Sequence, residues 1–131
     1  MTAVEQKMRI SLIAIAAAFE AITGLVLIVD PSLLGTLLLG SDLSVSGIAV
    51  GRLAGCALLG LGIACWPGPE AVTGKNGATR GLLAYNALAA IFFVYLGVRG
   101  ELVVPLLWPA AVIHGALAVL LARVLTLHRS T

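Results

Sequence analysis

The stretch ISLIAIAAAFEAITGLVLIV, residues 10–29, decides the fold. Glu20 is the only charged residue among these twenty. About 20 apolar residues in a helix are needed to cross the hydrocarbon core of a bilayer, whereas the apolar part of a signal peptide has only about 7–15. The stretch, closed by Asp30-Pro31, therefore predicts a retained transmembrane helix rather than a cleaved leader.

Three further apolar stretches have a similar length, at residues 46–66, 81–98 and 102–125. The composition agrees, since 60% of the 131 residues are hydrophobic, 11% are charged and the mean hydropathy is +1.10. Soluble domains have about 25% charged residues, and a chain this short cannot bury so much apolar surface against itself. We predict an all-α four-helix transmembrane bundle, up-down-up-down, forming a single integral membrane domain over residues 1–131.

An apolar segment too short to cross the membrane, PSLLGTLLLG at residues 31–40, follows the first span. Asp30 is a favourable N-cap, Pro31 suits the first helical position and Gly40 is a common helix terminator. The segment predicts a short helix at the membrane interface. It is either a connector or a lid over an internal site.

Basic residues before, between and at the ends of the spans indicate the orientation. If the N-terminus is cytoplasmic, only Arg99 lies outside, and the other basic residues near the spans lie inside: Lys7, Arg9, Lys75, Arg80, Arg123 and Arg129. Cytoplasmic loops of membrane proteins carry an excess of Lys and Arg. We therefore expect both termini to be cytoplasmic. The basic residues form no continuous stripe, so a nucleic acid is not an expected partner.

Away from its ends, each predicted span contains one strongly polar residue: Glu20, Arg52, Asn86 and His114. A charged side chain near the bilayer centre costs about 2.5–3.5 kcal/mol on insertion scales, so such residues tend to face inward and to be paired. Small residues three and four positions away share the face of each one, which is typical of helix contacts in membranes. The helical rise places Glu20 and Arg52 in one layer, with Asn86 and His114 about one turn deeper. We expect an ion pair between Glu20 and Arg52.

These four residues have two interpretations. Separately, they would hold helices together through a structural ion pair, an interhelical amide hydrogen bond and a packed imidazole. Together, they would form a ligand-binding or proton-handling site, because a carboxyl and an imidazole can exchange protons near neutral pH and Arg52 can bind an anionic group. Glu20 and His114 provide two metal ligands, fewer than a zinc site requires. A single histidine in the spans is not enough to predict a haem site. No metal and no cofactor is predicted.

A repeated glycine motif, Gly47-x-x-x-Gly51-x-x-x-Gly55, lies in the second span beside Arg52. Small residues at this spacing let two helices approach closely. The partner helix belongs either to the same bundle or to a second copy of the chain. The expected partners are therefore membrane lipid, a lipophilic small molecule, and a homo-oligomer or larger membrane complex.

The run GRLAGCALLGLGIACW, residues 51–66, resembles the small four-helix bacterial membrane proteins known as DoxX-like. The plan of four helices with an apolar first loop is similar over the whole chain. This resemblance implies the fold and a bacterial inner-membrane location, and little about activity. Phe19-Glu20-Ala21-Ile22 is also similar to the first helix of small multidrug-resistance transporters, but Arg52 and His114 have no counterpart there.

Three functions follow as expectations. The first is a small inner-membrane protein whose intramembrane polar pocket, formed by Glu20, Arg52, Asn86 and His114, binds a lipid-like or quinone-like molecule as an accessory component of a larger system. The alternative is a membrane-embedded isomerase, cyclase or hydrolase acting on a lipophilic substrate, with Glu20 and His114 as catalytic acid and base. The third is a proton-coupled exporter of small molecules.

Overall fold

The computed structural model describes residues 3–68, 77–99 and 104–127. Over these residues the chain forms five helices and no strand. They are α1 (Ala3–Val29), α2 (Pro31–Leu39), α3 (Val45–Ala64), α4 (Gly77–Arg99) and α5 (Leu107–Leu127). The predicted all-α four-helix bundle, with a short helix after the first span, is confirmed.

The helices α1, α3, α4 and α5 are each long and apolar enough to cross a membrane, and they make the chain a multi-pass membrane protein. The ends of these helices differ from the ends of the apolar stretches in the sequence. Hydropathy locates only the segment that faces the hydrocarbon, whereas the backbone hydrogen bonds of a helix can continue beyond it into water. Thus α1 begins at Ala3, seven positions before residue 10. The helix α5 begins at Leu107 because Pro105 lies in the preceding turn. The charged residues Lys75, Glu101 and Arg129 lie outside the described residues.

The ends of α2 follow the signals in its sequence. The Oδ1 atom of Asp30 accepts a hydrogen bond from the Leu33 amide at 3.2 Å, and Pro31 occupies the first turn. Gly40 ends the helix with φ +71°, in the left-handed region that favours glycine. Its amide donates to the Thr36 carbonyl at 3.0 Å. The helix folds back over one end of the bundle, where it contacts α1, α3 and α5.

Close backbone contact joins α1 to α3. A Cβ added to Gly24 would lie 2.7 Å from the Gly55 carbonyl oxygen, and one added to Gly62 would lie 2.6 Å from the Ala17 carbonyl oxygen. Residue numbers rise along one helix as they fall along the other, so the pair is antiparallel. Gly55 of the predicted glycine motif therefore packs within the bundle. Gly51 faces Pro31, whose Cβ would be 2.9 Å from an added Cβ.

A second antiparallel pair is formed by α4 and α5. Gly97 of α4 lies against the Trp108 ring of α5, and Gly115 faces Ala90. Contact is extensive within each helix pair and sparser between the two pairs. An apolar core joins the pairs in the half of the bundle where α1 and α4 begin. It contains Ile13, Ala16, Ala17, Cys65, Leu82, Leu117 and Leu121. Asn86 and His114 lie next to this core. Asn86 is one helical turn from Leu82, and His114 is one helical turn from Leu117.

Candidate functional site

Asn86 is the centre of a buried hydrogen-bond network that links three helices. Its Nδ2 atom donates to Oε1 of Glu20 on α1 at 3.0 Å and to the carbonyl oxygen of Leu82, one turn earlier on α4, also at 3.0 Å. Its Oδ1 atom lies 2.8 Å from Nδ1 of His114 on α5. Glu20 and Asn86 are fully buried, and His114 is 5% exposed. The network therefore connects the two helix pairs through buried polar side chains.

The partners of Asn86 determine which of its atoms donate. The Leu82 carbonyl oxygen can only accept, so the amide nitrogen must face it and Oδ1 must face His114. Because Oδ1 is itself only an acceptor, Nδ1 of His114 carries the hydrogen. In the neutral imidazole, Nε2 is then left as an acceptor.

Glu20 is the residue whose hydrogen bonds are incomplete. Its Oε1 atom accepts from Asn86, but its Oε2 atom is buried and has no hydrogen-bond partner within the described part of the chain. A buried polar atom without a partner costs about 1–3 kcal/mol, and such atoms are rare in native structures. This oxygen is the feature of the site that most needs a physical explanation.

Three aromatic rings surround His114. The centroids of Phe19 and Tyr85 lie 5.5 and 5.8 Å from that of the imidazole in edge-on arrangements, and the Phe93 ring stacks at 5.6 Å with an interplanar angle of 28°. All three aromatic residues are half-buried. They therefore extend from the polar network toward the outside of the bundle and restrict the orientation of the imidazole.

The sequence prediction did not include these aromatic residues, although a signal was present. Phe19 and Tyr85 directly precede Glu20 and Asn86, and Phe93 lies seven positions after Asn86, which places it on the same helix face. In an apolar span such rings resemble ordinary lipid-facing residues. Only their contact with His114 distinguishes them.

The expected position of Arg52 is wrong. Its side chain is exposed on the outside of α3, and its predicted ion pair with Glu20 does not form. The helix α3 uses Gly51, Gly55 and Gly62 to contact α1 and Pro31, and a residue one position after Gly51 is rotated by about 100° from that face. The structure therefore brings together three of the four predicted site residues, and Arg52 is not among them.

The expected depths also need correction. The helical rise predicts that Glu20 and Asn86 lie one helical turn apart, yet they are hydrogen-bonded to each other and lie in the same layer. Counting residues from the ends of apolar stretches ignores helix tilt and uses uncertain starting points. Arg9, counted among the cytoplasmic charges, is buried near the start of α1.

The described residues contain no group of three or more His, Cys, Asp or Glu side chains close enough to hold a metal ion. Chemically, the network offers one carboxyl group and one imidazole, held apart by an amide that is hydrogen-bonded to both. No protein-family model matches the chain, and comparison with curated proteins and with solved structures also gives no match. The resemblance to DoxX-like proteins stays a prediction, and a function must be inferred from the side chains at the site.

Proposed function

We propose that this chain is a small inner-membrane protein that binds a lipid-like or quinone-like molecule through the Glu20–Asn86–His114 network. The observation that carries the proposal is the buried Oε2 atom of Glu20, which has no hydrogen-bond partner among the described residues. A polar group of a bound molecule would supply that partner. Arg52, which the sequence predicts to lie in this pocket, is exposed and is not part of the proposed site.

A purely structural network would be expected to satisfy its own atoms. Asn86 does so, since both ends of its amide are hydrogen-bonded to neighbouring helices or to its own helix. Glu20 uses only one of its two oxygens, in an environment from which water is excluded. Burying a polar group is unfavourable unless it is hydrogen-bonded. A carboxyl group with one oxygen that makes no hydrogen bond is therefore an unfavourable bridge between two helices.

The surroundings suit an apolar ligand with a polar head. Ligand sites are mostly lined by apolar and aromatic side chains, with a few polar groups that fix orientation. Here Phe19, Tyr85 and Phe93 provide the aromatic lining beside His114. Sparse contact between the α1/α3 and α4/α5 pairs supports a route from the lipid along the seam between them.

The geometry favours binding over acid–base turnover. If Glu20 and His114 were a catalytic acid–base pair, direct transfer between them would be blocked, since the Asn86 amide lies between the two groups. A proton-coupled exporter would need a polar path from Glu20 to both membrane surfaces. Tightly packed apolar residues, including Ile13, Ala16 and Leu121, instead lie toward the end of the bundle where α1 begins.

The proposed location is the bacterial inner membrane, with both termini cytoplasmic, as an accessory component of a larger membrane system. The described basic residues support this orientation. Lys7, Arg80 and Arg123 are exposed, and all three lie at the end of the bundle where α1 and α4 begin and α5 ends. Positive charge at one end is typical of the cytoplasmic side.

Native mass spectrometry of the detergent-purified full chain tests the proposal. We expect a lipophilic adduct on the wild-type protein, its loss in Glu20→Gln and His114→Ala, and its retention in Arg52→Met. The last variant is a matched control, because it removes a polar side chain from a spanning helix without touching the network. Thermal stability of each variant shows whether the fold persists. Folded wild-type protein without any adduct, or equal adduct in all four proteins, would contradict the proposal.

A further inference from the structure

Arg52 is a charged residue on the outside of a spanning helix, away from the Glu20 network. Its side chain is exposed, and it makes no hydrogen bond or ion pair with any residue that the structure describes. Asp42, the nearest acidic residue in the sequence, is exposed ahead of α3 and is not paired with it. A charge on a spanning helix is unfavourable unless it is paired or reaches the interface. The guanidinium group must therefore find its partner outside the bundle.

The position of Arg52 along α3 decides where that charge lies. Arg52 is seven positions after Val45, the first residue of the helix, so its Cα is about 10 Å along the axis from that end. Side chains of a helix lean toward its N-terminus, and long basic side chains lay their apolar stems along the protein surface while the charged head reaches the interface. Val45, which is exposed, shares the Arg52 face in that direction. The charge of Arg52 is therefore directed to the membrane interface at the end where α3 begins.

The phosphate groups of the lipid leaflet are the negative groups present at this interface. A guanidinium group matches a phosphate in both charge and geometry, because it can donate two parallel hydrogen bonds to two of its oxygens. The face of α3 further from the interface suits the acyl chains of the same lipid. Ile63 is exposed there, and a Cβ added to the exposed Gly60 would meet nothing within 4 Å. Charge and apolar surface thus follow each other along α3 in the order in which a phospholipid presents its phosphate and its chains.

Two other occupants of this face fit less well. A second copy of the chain, related by a two-fold axis along the membrane normal, would bring its own Arg52 to the same depth, where the two like charges repel. A carboxylate on a spanning helix of another protein would itself have to be inserted into the membrane, which is unfavourable. The lipid phosphate is already at the interface, so charge complementarity favours the lipid.

We propose that Arg52 is the head-group contact of a phospholipid-binding site on the exposed face of α3, which holds one lipid of the adjacent leaflet by its phosphate. The site is separate from the Glu20–Asn86–His114 network and goes beyond the function proposed above. The bound lipid balances the charge of Arg52 and covers the apolar surface below it.

The test compares two lipids that differ only in the phosphate-bearing head group, palmitoyl-oleoyl phosphatidylglycerol and palmitoyl-oleoyl glycerol. Each is titrated into the detergent-purified full chain, and its affinity is measured by native mass spectrometry. We expect the wild type to bind the phosphatidylglycerol at least about tenfold more tightly, which is the size of one hydrogen-bonded contact between charged groups. Equal affinity for the two lipids would overturn the proposal.

The role of Arg52 is tested by Arg52→Leu, in which the preference for the phosphatidylglycerol should fall at least about fivefold. If this variant does not fold, Arg52→Gln removes the charge and keeps a polar side chain, with the same expected loss. Arg80→Leu is the matched control, because it removes an exposed basic residue at the opposite end of the bundle; it should keep the preference. A preference that is unchanged in the Arg52 variant would refute the assignment.

The same spectra identify the other occupants. A dimer of the wild type that phosphatidylglycerol does not dissociate would assign the face to a second copy and overturn the proposal. Displacement of the lipid by a leucine–alanine transmembrane peptide with one aspartate, but not by the same peptide with asparagine, would assign it to a partner helix and also overturn it. Glu20→Gln should keep the phosphatidylglycerol and lose only the adduct of the polar network. The failure of one site is therefore distinguishable from the failure of the other.

Discussion

Replacing Asn86 with leucine should measure how strongly the polar network holds the bundle together. The two side chains have the same number of heavy atoms and the same branching at Cγ, so the change removes the hydrogen bonds while keeping the shape of the side chain. Asn86 donates to Glu20 and accepts from His114, which gives two interhelical bonds. Such bonds in membrane proteins contribute about 0.6 kcal/mol on average and up to about 1.7. We therefore expect Asn86→Leu to lower the free energy of unfolding by about 1–3 kcal/mol.

The assay is equilibrium unfolding of the purified protein in mixed micelles, with SDS as denaturant and far-ultraviolet circular dichroism as the signal. The control is Arg52→Leu, which also replaces a polar residue in a spanning helix. Because Arg52 is exposed, its loss should change the free energy of unfolding by no more than about 0.5 kcal/mol. A double-mutant cycle between Asn86→Leu and His114→Phe should give a coupling of about 0.6–1.7 kcal/mol. An Asn86→Leu protein as stable as the Arg52→Leu protein would refute the reasoning.

Three other predictions concern the rest of the fold. Gly62→Ala should be less stable than Gly60→Ala by about 1–3 kcal/mol in the same unfolding assay. An added Cβ would meet α1 at Gly62, whereas it would meet nothing within 4 Å at Gly60. Equal stability of the two variants would contradict the close α1–α3 contact. Asp30→Ala should remove the N-cap of α2, which contributes about 1 kcal/mol to the stability of that helix. Amide hydrogen exchange should then be faster in α2 alone. Unchanged exchange would show that the cap is unimportant. A fluorogenic maleimide in detergent should label the exposed Cys56 before the buried Cys65, with Cys56→Ser as the control, and the reverse order would mean that the exposed face of α3 is covered.

The elements of the fold were readable from the sequence because their signals are local. An apolar stretch long enough to cross a bilayer has few alternatives to a helix, since every backbone amide must find a partner without water. The short helix α2 was predicted from Asp30, Pro31 and Gly40, and each performs its expected role there. The exact helix ends were less predictable. Residues such as Glu5 and Lys7 continue α1 beyond its apolar stretch, which hydropathy does not register.

The composition of the site was only partly readable. Polar residues in apolar spans marked Glu20, Asn86 and His114, and the structure buries all three. The same rule failed for Arg52 because α3 has small residues on more than one face. Gly55 and Gly62 contact α1, whereas Cys56 and Gly60 lie on the exposed side. A small neighbour therefore does not indicate which way a side chain on this helix points.

The sequence by itself determined the number of spans, the short interfacial helix and the list of polar residues inside the membrane. Only the tertiary structure decided that Asn86, rather than Arg52, is the partner of Glu20, and that His114 lies among three aromatic rings. The physical reason is that pairing depends on the rotation and tilt of each helix against its neighbours. Between α1 and α3 both are set by the close backbone contacts at Gly24, Gly55 and Gly62, which act between residues far apart in the chain.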